Sequence, residues 1–171
     1  LHGPILKENL GYYIGKYMTW SSYEPEDDGV LVAYASIHGN TKTAAEKMKE
    51  ILEAKGAKKV AITDLSRDDM AEAIEDAFRY DKLVLAAASY DASVFPCMET
   101  FLNKLTNKNY QNRKIAIIEN GSWAPTAARV MTGMFEKSKD ITWLEHSVKI
   151  MSSLSEENEK ELDAMAEELC K

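Results

Sequence analysis

The stretch VLVAYASIHGNTKTAAEKM, residues Val30–Met48, decides the fold of this 171-residue chain. It opens with a β-rich apolar run, and in its second half Ala44, Ala45 and Met48 recur at the spacing of one helix face. A short polar loop with a single glycine joins the two parts. A strand, a polar loop and a helix in direct succession form the first half of a βαβ unit, from which parallel sheets are built.

The same alternation of apolar runs and amphipathic segments continues to the carboxyl terminus. Parallel strands that are covered by helices on both faces have nearly continuous apolar sequences. We predict strands at Val30–Ala35, Lys58–Thr63, Leu83–Ala88 and Lys114–Glu119, and a fifth within Ile141–Met151. We predict helices at Thr41–Lys55, Asp68–Arg79, Val94–Leu105, Thr126–Lys137 and Glu156–Cys170. Residues 30–171 are therefore predicted to form one α/β domain around a five-stranded parallel sheet.

Composition and charge exclude several classes of function. The chain is 45% hydrophobic and 29% charged with a net charge of −7, which is typical of a globular protein and argues against binding to nucleic acid or to an anionic membrane. Cys97 and Cys170 lack the spacing of a zinc site or a disulfide framework, which favours a reducing cytoplasm. No apolar run approaches the length of about 18 residues that a membrane span needs.

The first 29 residues do not share the alternation of strands and helices. Tyr12, Tyr13, Tyr17 and Trp20 fall near helical spacing, which we interpret as a packing helix. The polar stretch SSYEPEDDG follows and is typical of a linker. Because the chain begins at Leu1 rather than at methionine, we interpret its amino terminus as a cut end within a longer protein.

The loop after the first strand has the character of a phosphate-binding loop. Ligands of open α/β sheets bind beyond the carboxyl ends of the strands. Here hydroxyl groups, an amide, a glycine and the backbone N–H groups of a helix start come together. The segment matches neither GxxxxGK[ST] nor GxGxxG, and it lacks lysine and arginine, which favours a single buried phosphate. The alternative is an ordinary helix cap. The candidate phosphate ligands are Ser36, Ile37, His38, Gly39, Asn40 and Thr41.

The loops after the third and fourth strands combine aromatic rings with backbone polar groups. Such loops suit a flat heteroaromatic ring, because an aromatic side chain can stack on the ring while backbone groups bond to its edge. Each aromatic residue taken singly is more often core or surface filler. The candidate ring ligands are Ser89, Tyr90, Asp91, Ala92 and Phe95 in one loop, and Asn120, Gly121, Ser122 and Trp123 in the other.

These motifs resemble those of a known family. The segment ASIHGNT is similar to the phosphate-loop signature of flavodoxins, and SYDASVFP and ENGSWAPTA fall where flavodoxin-like domains hold the flavin ring. The opening LHGPI and the aromatic helix resemble the junction in flavodiiron proteins, the A-type flavoproteins, in which a metallo-β-lactamase-like di-iron domain precedes a flavodoxin domain. The resemblance implies FMN as cofactor and a three-layer αβα sandwich with strand order 2-1-3-4-5. It also implies that His2 is the last ligand of a di-iron centre whose other ligands lie in the upstream domain.

The resemblance also implies a function. The domain is expected to accept electrons from rubredoxin or a flavin reductase and to pass them to the di-iron site, which reduces O2 or NO, within a head-to-tail homodimer. Tyr90 stands where family members often have proline, and Trp123 is shifted, so the stacking residue is left open. His38 either approaches the flavin or shapes its loop. An acidic, cation-poor surrounding is expected to lower the reduction potential of the flavin.

Two other functions remain as alternatives. A flavodoxin-like quinone or azo reductase would take hydride directly from NAD(P)H, but it would need a nicotinamide pocket. A flavin-free receiver-type signalling domain would share the strand order, but it would need an acidic cluster with a phosphoacceptor aspartate at the strand ends, whereas the first strand ends in Ala35-Ser36-Ile37. Steady NAD(P)H oxidation would favour the reductase, and failure to bind flavin would favour the receiver.

Overall fold

The computed structural model describes residues 3–171, so the expectation for His2 lies outside the described residues. The helices are α1 (Leu10–Ser21), α2 (Asn40–Ala54), α3 (Met70–Arg79), α4 (Pro96–Thr106), α5 (Ala127–Met134) and α6 (Glu156–Leu169). The strands are β1 (Asp27–Ala35), β2 (Val60–Asp64), β3 (Tyr80–Tyr90), β4 (Ser93–Val94), β5 (Arg113–Gly121), β6 (Ile141–Trp143) and β7 (Val148–Met151).

The sheet has the predicted order. β2, β1, β3 and β5 lie side by side in parallel, and β6 and β7 both pair with the outer side of β5, so the expected order is confirmed. The expected fifth strand is divided into two. The exposed polar residues Glu145, His146 and Ser147 separate β6 from β7, and the ladder resumes at Val148 opposite Ile118.

Several element boundaries differ from the predictions for local physical reasons. Val94 was expected in a helix, but it pairs with Ser89 in the short antiparallel strand β4. The helix α4 begins at Pro96, where a missing N–H costs no intrahelical bond. The start of α3 falls at Met70 because the Asp69 side chain accepts the N–H of Ala71 and caps the helix. β1 begins at Asp27, inside the expected linker.

Two apolar layers hold the sheet between helices. One layer joins Leu31, Leu85 and Ile117 to the side chains of α3, α4 and α5. The other joins Val32 and Ile118 to those of α2 and α6. Alternate residues of each strand enter opposite layers, as the pleat requires. The three-layer αβα sandwich is therefore confirmed.

The aromatic segment forms a helix, α1, but it does not pack on this domain. None of the residues of α1 is buried against the rest of the described chain. The carboxylate of Glu26 accepts hydrogen bonds from Lys16 and from the Trp20 indole, and this contact ties the helix to the start of β1. None of the helices in residues 3–171 combines the length and the apolar character that crossing a bilayer requires.

Candidate functional site

The strand register brings the candidate loops to one edge of the sheet. Ala35 at the end of β1 lies opposite Ala87 of β3, and Ala88 lies opposite Asn120 of β5. Gly121 in turn lies opposite Met151 at the end of β7. The segments that follow these four strands therefore meet at the carboxyl-terminal edge, where parallel α/β sheets bind their ligands.

The loop after β1 leads into an open helix start. Gly39 precedes α2 with φ of 94°, a conformation that glycine adopts without the Cβ penalty, and its N–H donates to the Ser36 hydroxyl at 3.0 Å. No side chain caps α2, and its first turn has no acidic residue. The N–H groups of Asn40 and Thr41 have no intrahelical acceptor, because the first turn of any α-helix lacks one. This helix start is suited to an anion.

The start of α5 is closed by two side chains. The Ser89 hydroxyl accepts the N–H groups of Thr126 and Ala127 at 2.8 and 3.2 Å. A carboxylate oxygen of Glu119 accepts the N–H of Ala128 at 3.0 Å. Ser89 was predicted to contact the ring, but its hydroxyl is used to cap a helix. Of these two helix starts at the carboxyl-terminal edge, only that of α2 is left open to a ligand.

The loop after β3 is a tight hairpin. Tyr90 pairs with Ser93, and the two residues between them, Asp91 and Ala92, have φ of 48° and 55°. Consecutive left-handed residues are typical of a type I′ turn, which prefers asparagine and glycine at these positions. Ala92 in this conformation costs about 1 kcal/mol, and such strain concentrates at binding sites.

The loop after β5 is joined to that hairpin. The Thr126 hydroxyl donates to the Ser93 carbonyl at 2.8 Å, so the two candidate ring-binding loops are held together by a side chain that the sequence did not single out. Gly121 allows the loop to fold back, because a Cβ there would lie 3.0 Å from the Cα of Pro125. The amide of Asn120 is used internally, since it donates to the Ser152 carbonyl at 2.9 Å and accepts the Ser152 N–H at 3.2 Å.

Large exposed apolar side chains mark this edge. Within residues 30–171 they are Ile37, Tyr90, Trp123 and Met151, and each follows or ends a strand at the carboxyl-terminal edge. Trp123 is 87% exposed and Tyr90 is 49% exposed. A group of apolar side chains beside open polar backbone is typical of a site for a flat organic ligand.

The remaining predicted residues fall into two groups. His38, Asp91, Ala92 and Ser122 are exposed at the edge, whereas Phe95 is half-buried and packs edge-on against Tyr90 with ring centroids 5.7 Å apart. Thr41 is 2% exposed at the start of α2. Met151 and Ser152 also lie at this edge, at the end of β7, and they were not among the residues predicted from the sequence. The rule that ligands bind beyond the carboxyl ends of strands would have identified them if the end of the last strand had been located in the sequence.

A cavity of about 630 Å³ opens at the opposite edge of the sheet. Tyr23, Tyr110 and the segments around Asn107 and Lys137 line it, and none of the candidate loops contributes. It lies by the amino end of β5, away from the strand ends where ligands of such sheets bind. Burial raises the pKa of the Cys97 thiol, which favours the inert thiol form over the reactive thiolate.

Fold and site together define a parallel α/β domain of the flavodoxin-like class. The chain belongs to the flavodoxin domain family, whose sequence profile matches residues 31–151. The expected family is therefore confirmed, and membership implies FMN as the cofactor.

Curated relatives have the same domain within longer chains. The chain is 23% identical over 143 residues to an anaerobic nitric oxide reductase flavorubredoxin of Aeromonas hydrophila, a match that covers 82% of this chain and 29% of the relative. An Escherichia coli flavorubredoxin is 18% identical over 124 residues, covering 72% of this chain and 26% of its own length. The chain thus spans less than a third of the curated relatives it matches.

Solved structures show the same fold. Rubredoxin:oxygen oxidoreductase of Desulfovibrio gigas superposes with a TM-score of 0.83 at 15% identity, covering 94% of this chain and 39% of that one. A Thermotoga maritima flavo di-iron protein variant gives 0.82 at 21% identity, with coverage of 98% and 41%. An archaeal flavodoxin gives 0.71 at 17% identity, and it covers 83% of this chain and 96% of its own.

The residues at the carboxyl-terminal edge fit FMN. An uncapped helix start without acidic residues suits its phosphate, and exposed aromatic side chains beside it suit its flat ring. The loop also lacks the lysine with which a Walker A motif grips polyphosphates, as expected for a ligand with one phosphate.

Proposed function

We propose that this chain binds FMN at the carboxyl-terminal edge of its sheet and carries electrons, within a longer protein, to a di-iron site that reduces O2 or NO. One observation supports the proposal above all others. The exposed large apolar side chains of residues 30–171 are confined to the ends of β1, β3, β5 and β7, beside the uncapped start of α2.

The phosphate is held by backbone groups in this proposal. Asn40 and Thr41 donate their N–H groups, and the positive end of the α2 dipole offsets the charge of the phosphate. Ser36 acts indirectly, because its hydroxyl accepts the Gly39 N–H and fixes the loop. The Thr41 side chain is buried at the helix start.

The ring lies between the two aromatic loops. Tyr90 and Trp123 provide the exposed faces, and the bond from Thr126 to Ser93 sets the separation of the loops that carry them. Bound FMN supplies one- and two-electron chemistry, while the protein positions it and shields it. The strained hairpin at Asp91 and Ala92 holds Tyr90 in place before any ligand arrives.

The comparisons support the longer protein. The flavo di-iron structure covers 98% of this chain, whereas the archaeal flavodoxin covers 83% of it. The residues before Val30 include α1, whose side chains Tyr12, Ile14 and Tyr17 are exposed. We assign residues 1–29 to a linker and a helix that pack on an upstream di-iron domain, with His2 as a metal ligand there.

The partners follow from the same proposal. Rubredoxin or a flavin reductase donates electrons in the cytoplasm, and the di-iron domain accepts them in a homodimer. A flavorubredoxin and a rubredoxin:oxygen oxidoreductase among the similar proteins support this class of donor.

The test is a titration of the purified chain with FMN and, in parallel, with riboflavin, which lacks the phosphate. We expect quenching of FMN fluorescence at one equivalent, flavin absorption that bleaches with dithionite, and much weaker binding of riboflavin. Equal affinity for the two flavins would contradict the phosphate site. Failure to bind either flavin would contradict the proposal as a whole, and steady NAD(P)H oxidation would favour a quinone reductase instead.

A further inference from the structure

Glu119 is a buried carboxylate that the proposed function does not use. It is only 5% exposed, and it lies on β5 two residues before the strand ends at Gly121. The loop from Gly121 to Pro125, one of the proposed ring-binding loops, begins two residues after it in the chain. A carboxylate buried this deeply is uncommon unless it is compensated by other groups.

Two groups compensate the charge of Glu119, and neither does so fully. One oxygen accepts the N–H of Ala128 at the start of α5 at 3.0 Å. The other oxygen lies 3.7 Å from the ammonium of Lys149 on β7, which is 58% exposed and so is largely solvated. On the same face of β5 the preceding side chains, Ile117 and Ile115, are apolar and belong to the core.

This arrangement removes a positive potential from the site. The start of a helix carries a partial positive charge, which would stabilise a negative charge in the adjacent loop. Glu119 occupies that position at α5, and the segment from Glu119 to Ala128 contains no lysine or arginine. The ring-binding loop lies between these two residues in the chain. A negative charge on a ligand of this loop therefore interacts with the Glu119 carboxylate instead of with an uncapped helix start.

We propose that Glu119 is a tuning residue that weakens the binding of reduced FMN relative to oxidised FMN. Reduction by two electrons from a donor such as dithionite, with uptake of one proton from solvent, leaves one negative charge on the bound ring, and the field of Glu119 opposes that charge. The inference rests on the proposed function, because it requires FMN in the loop after β5. It identifies one buried side chain as a determinant of how readily the site accepts electrons.

The experiment compares dissociation constants of oxidised and dithionite-reduced FMN at pH 7 and low ionic strength. The variants are Glu119→Gln and Glu136→Gln, the second being the same charge change on an exposed residue at the opposite edge of the sheet. The ratio of the reduced to the oxidised dissociation constant should fall about tenfold in Glu119→Gln and change less than about twofold in Glu136→Gln. Lys149→Gln should raise the ratio, because it removes part of the compensation.

The ratio separates tuning from a structural role. Loss of a structural contact weakens the binding of both redox states together, whereas loss of the charge alters their ratio. An unchanged ratio in Glu119→Gln, with FMN still bound, would overturn this inference and leave the proposed function standing. If Glu119→Gln failed to fold, an unchanged or lowered ratio in Lys149→Gln would overturn it. If the unaltered chain bound no FMN in either state, the proposed function would fail as well.

Discussion

The two edges of the sheet satisfy their polar groups in different ways. At the amino-terminal edge, Asp27 pairs with Lys59 at 2.9 Å, and Asp28 pairs with Lys58 at 2.7 Å and with Lys82 at 2.9 Å. At the carboxyl-terminal edge the start of α2 has no cap. One edge has its charges paired within the chain, and the other presents unpaired backbone donors and exposed rings.

Arg113 anchors the chain at the amino-terminal edge. It is 3% exposed, and its guanidinium donates to the backbone carbonyls of Tyr23, Phe78 and two neighbouring residues. These bonds fix the chain where it enters β1. Two buried atoms at this edge, Arg113 Nε and the Tyr110 hydroxyl oxygen, have no hydrogen-bond partner among the described residues. The two edges therefore differ in their exposed rings and in the uncapped start of α2, and not in complete pairing of every polar group.

Placing a carboxylate at the start of α2 should give the largest effect on ligand binding at the carboxyl-terminal edge. We expect Asn40→Asp to weaken FMN binding about 100-fold, because like charges close to one another repel by several kcal/mol. Riboflavin binding should change little, and the ligand-free protein should gain about 0.5 kcal/mol from a favourable helix dipole interaction. Fluorescence titration and urea unfolding measure these quantities. Gln111→Glu, at the opposite edge, is the matched control, and an equal loss of FMN affinity there would show that net charge is responsible.

Adding a methyl group at the fold-back of the loop after β5 tests whether that loop is preformed. Gly121→Ala should lower the free energy of unfolding by about 2 kcal/mol, because the new Cβ meets the backbone of Pro125 at 3.0 Å. The control is Gly133→Ala in α5, where a Cβ meets nothing within 4 Å and helix propensity predicts a gain of about 0.5–1 kcal/mol. Similar melting temperatures for both variants would mean that the loop relaxes freely.

Removing the most exposed ring separates binding from folding. Trp123→Ala should leave the free energy of unfolding within about 0.5 kcal/mol of the parent, because the side chain is 87% exposed. FMN affinity should fall about tenfold through the lost stacking. Tyr17→Ala on α1 is the control, and it should not affect the affinity. If Tyr90→Ala reduced binding while Trp123→Ala did not, Tyr90 would be the stacking residue.

The smallest effect on stability is expected from Asp28 at the amino-terminal edge. Hydrogen bonds from Lys58 and Lys82 lower the pKa of Asp28 to about 2, from 3.8. A lowered pKa in the folded state stabilises the fold above the unfolded value and loses this contribution as pH falls through 3.8 towards 2. Asp28→Asn should therefore cost less than about 1 kcal/mol at pH 7. In urea unfolding the difference should shrink as pH falls towards 2 and vanish below it, and FMN affinity should be unaffected. A variant that lost FMN binding would contradict the division between the edges.

Most of the fold was predictable because its signals are local. Runs such as VLVAYA and LVLAAA are apolar throughout, so their burial between helices follows from composition alone. The division of the last strand was not predictable, because Glu145, His146 and Ser147 leave the ladder over a length too short to read as a loop. The spacing of the aromatic residues predicted the helix α1, but it could not say which surface this helix contacts, since the same spacing occurs in a core and on an unpartnered surface.

The site was predictable as a set of loops but not as a set of contacts. Strand order places the segments after β1, β3 and β5 together, whichever side chains they carry. What the sequence did not reveal is which polar groups the fold itself uses. Ser89 caps α5, the Asn120 amide holds Ser152, and Thr126 joins two loops, and these bonds link residues about 30 or more apart in the sequence.

The most direct test of FMN binding at the carboxyl-terminal edge is the change of backbone amide NMR shifts as FMN is added to the labelled chain. We predict that the shifts move first and most at residues 36–41, 89–95 and 120–125, and around Met151, while those beside Asp28 and Arg113 stay in place. Shifts concentrated around Tyr110 and Lys137, in the cavity at the amino-terminal edge, would contradict the account.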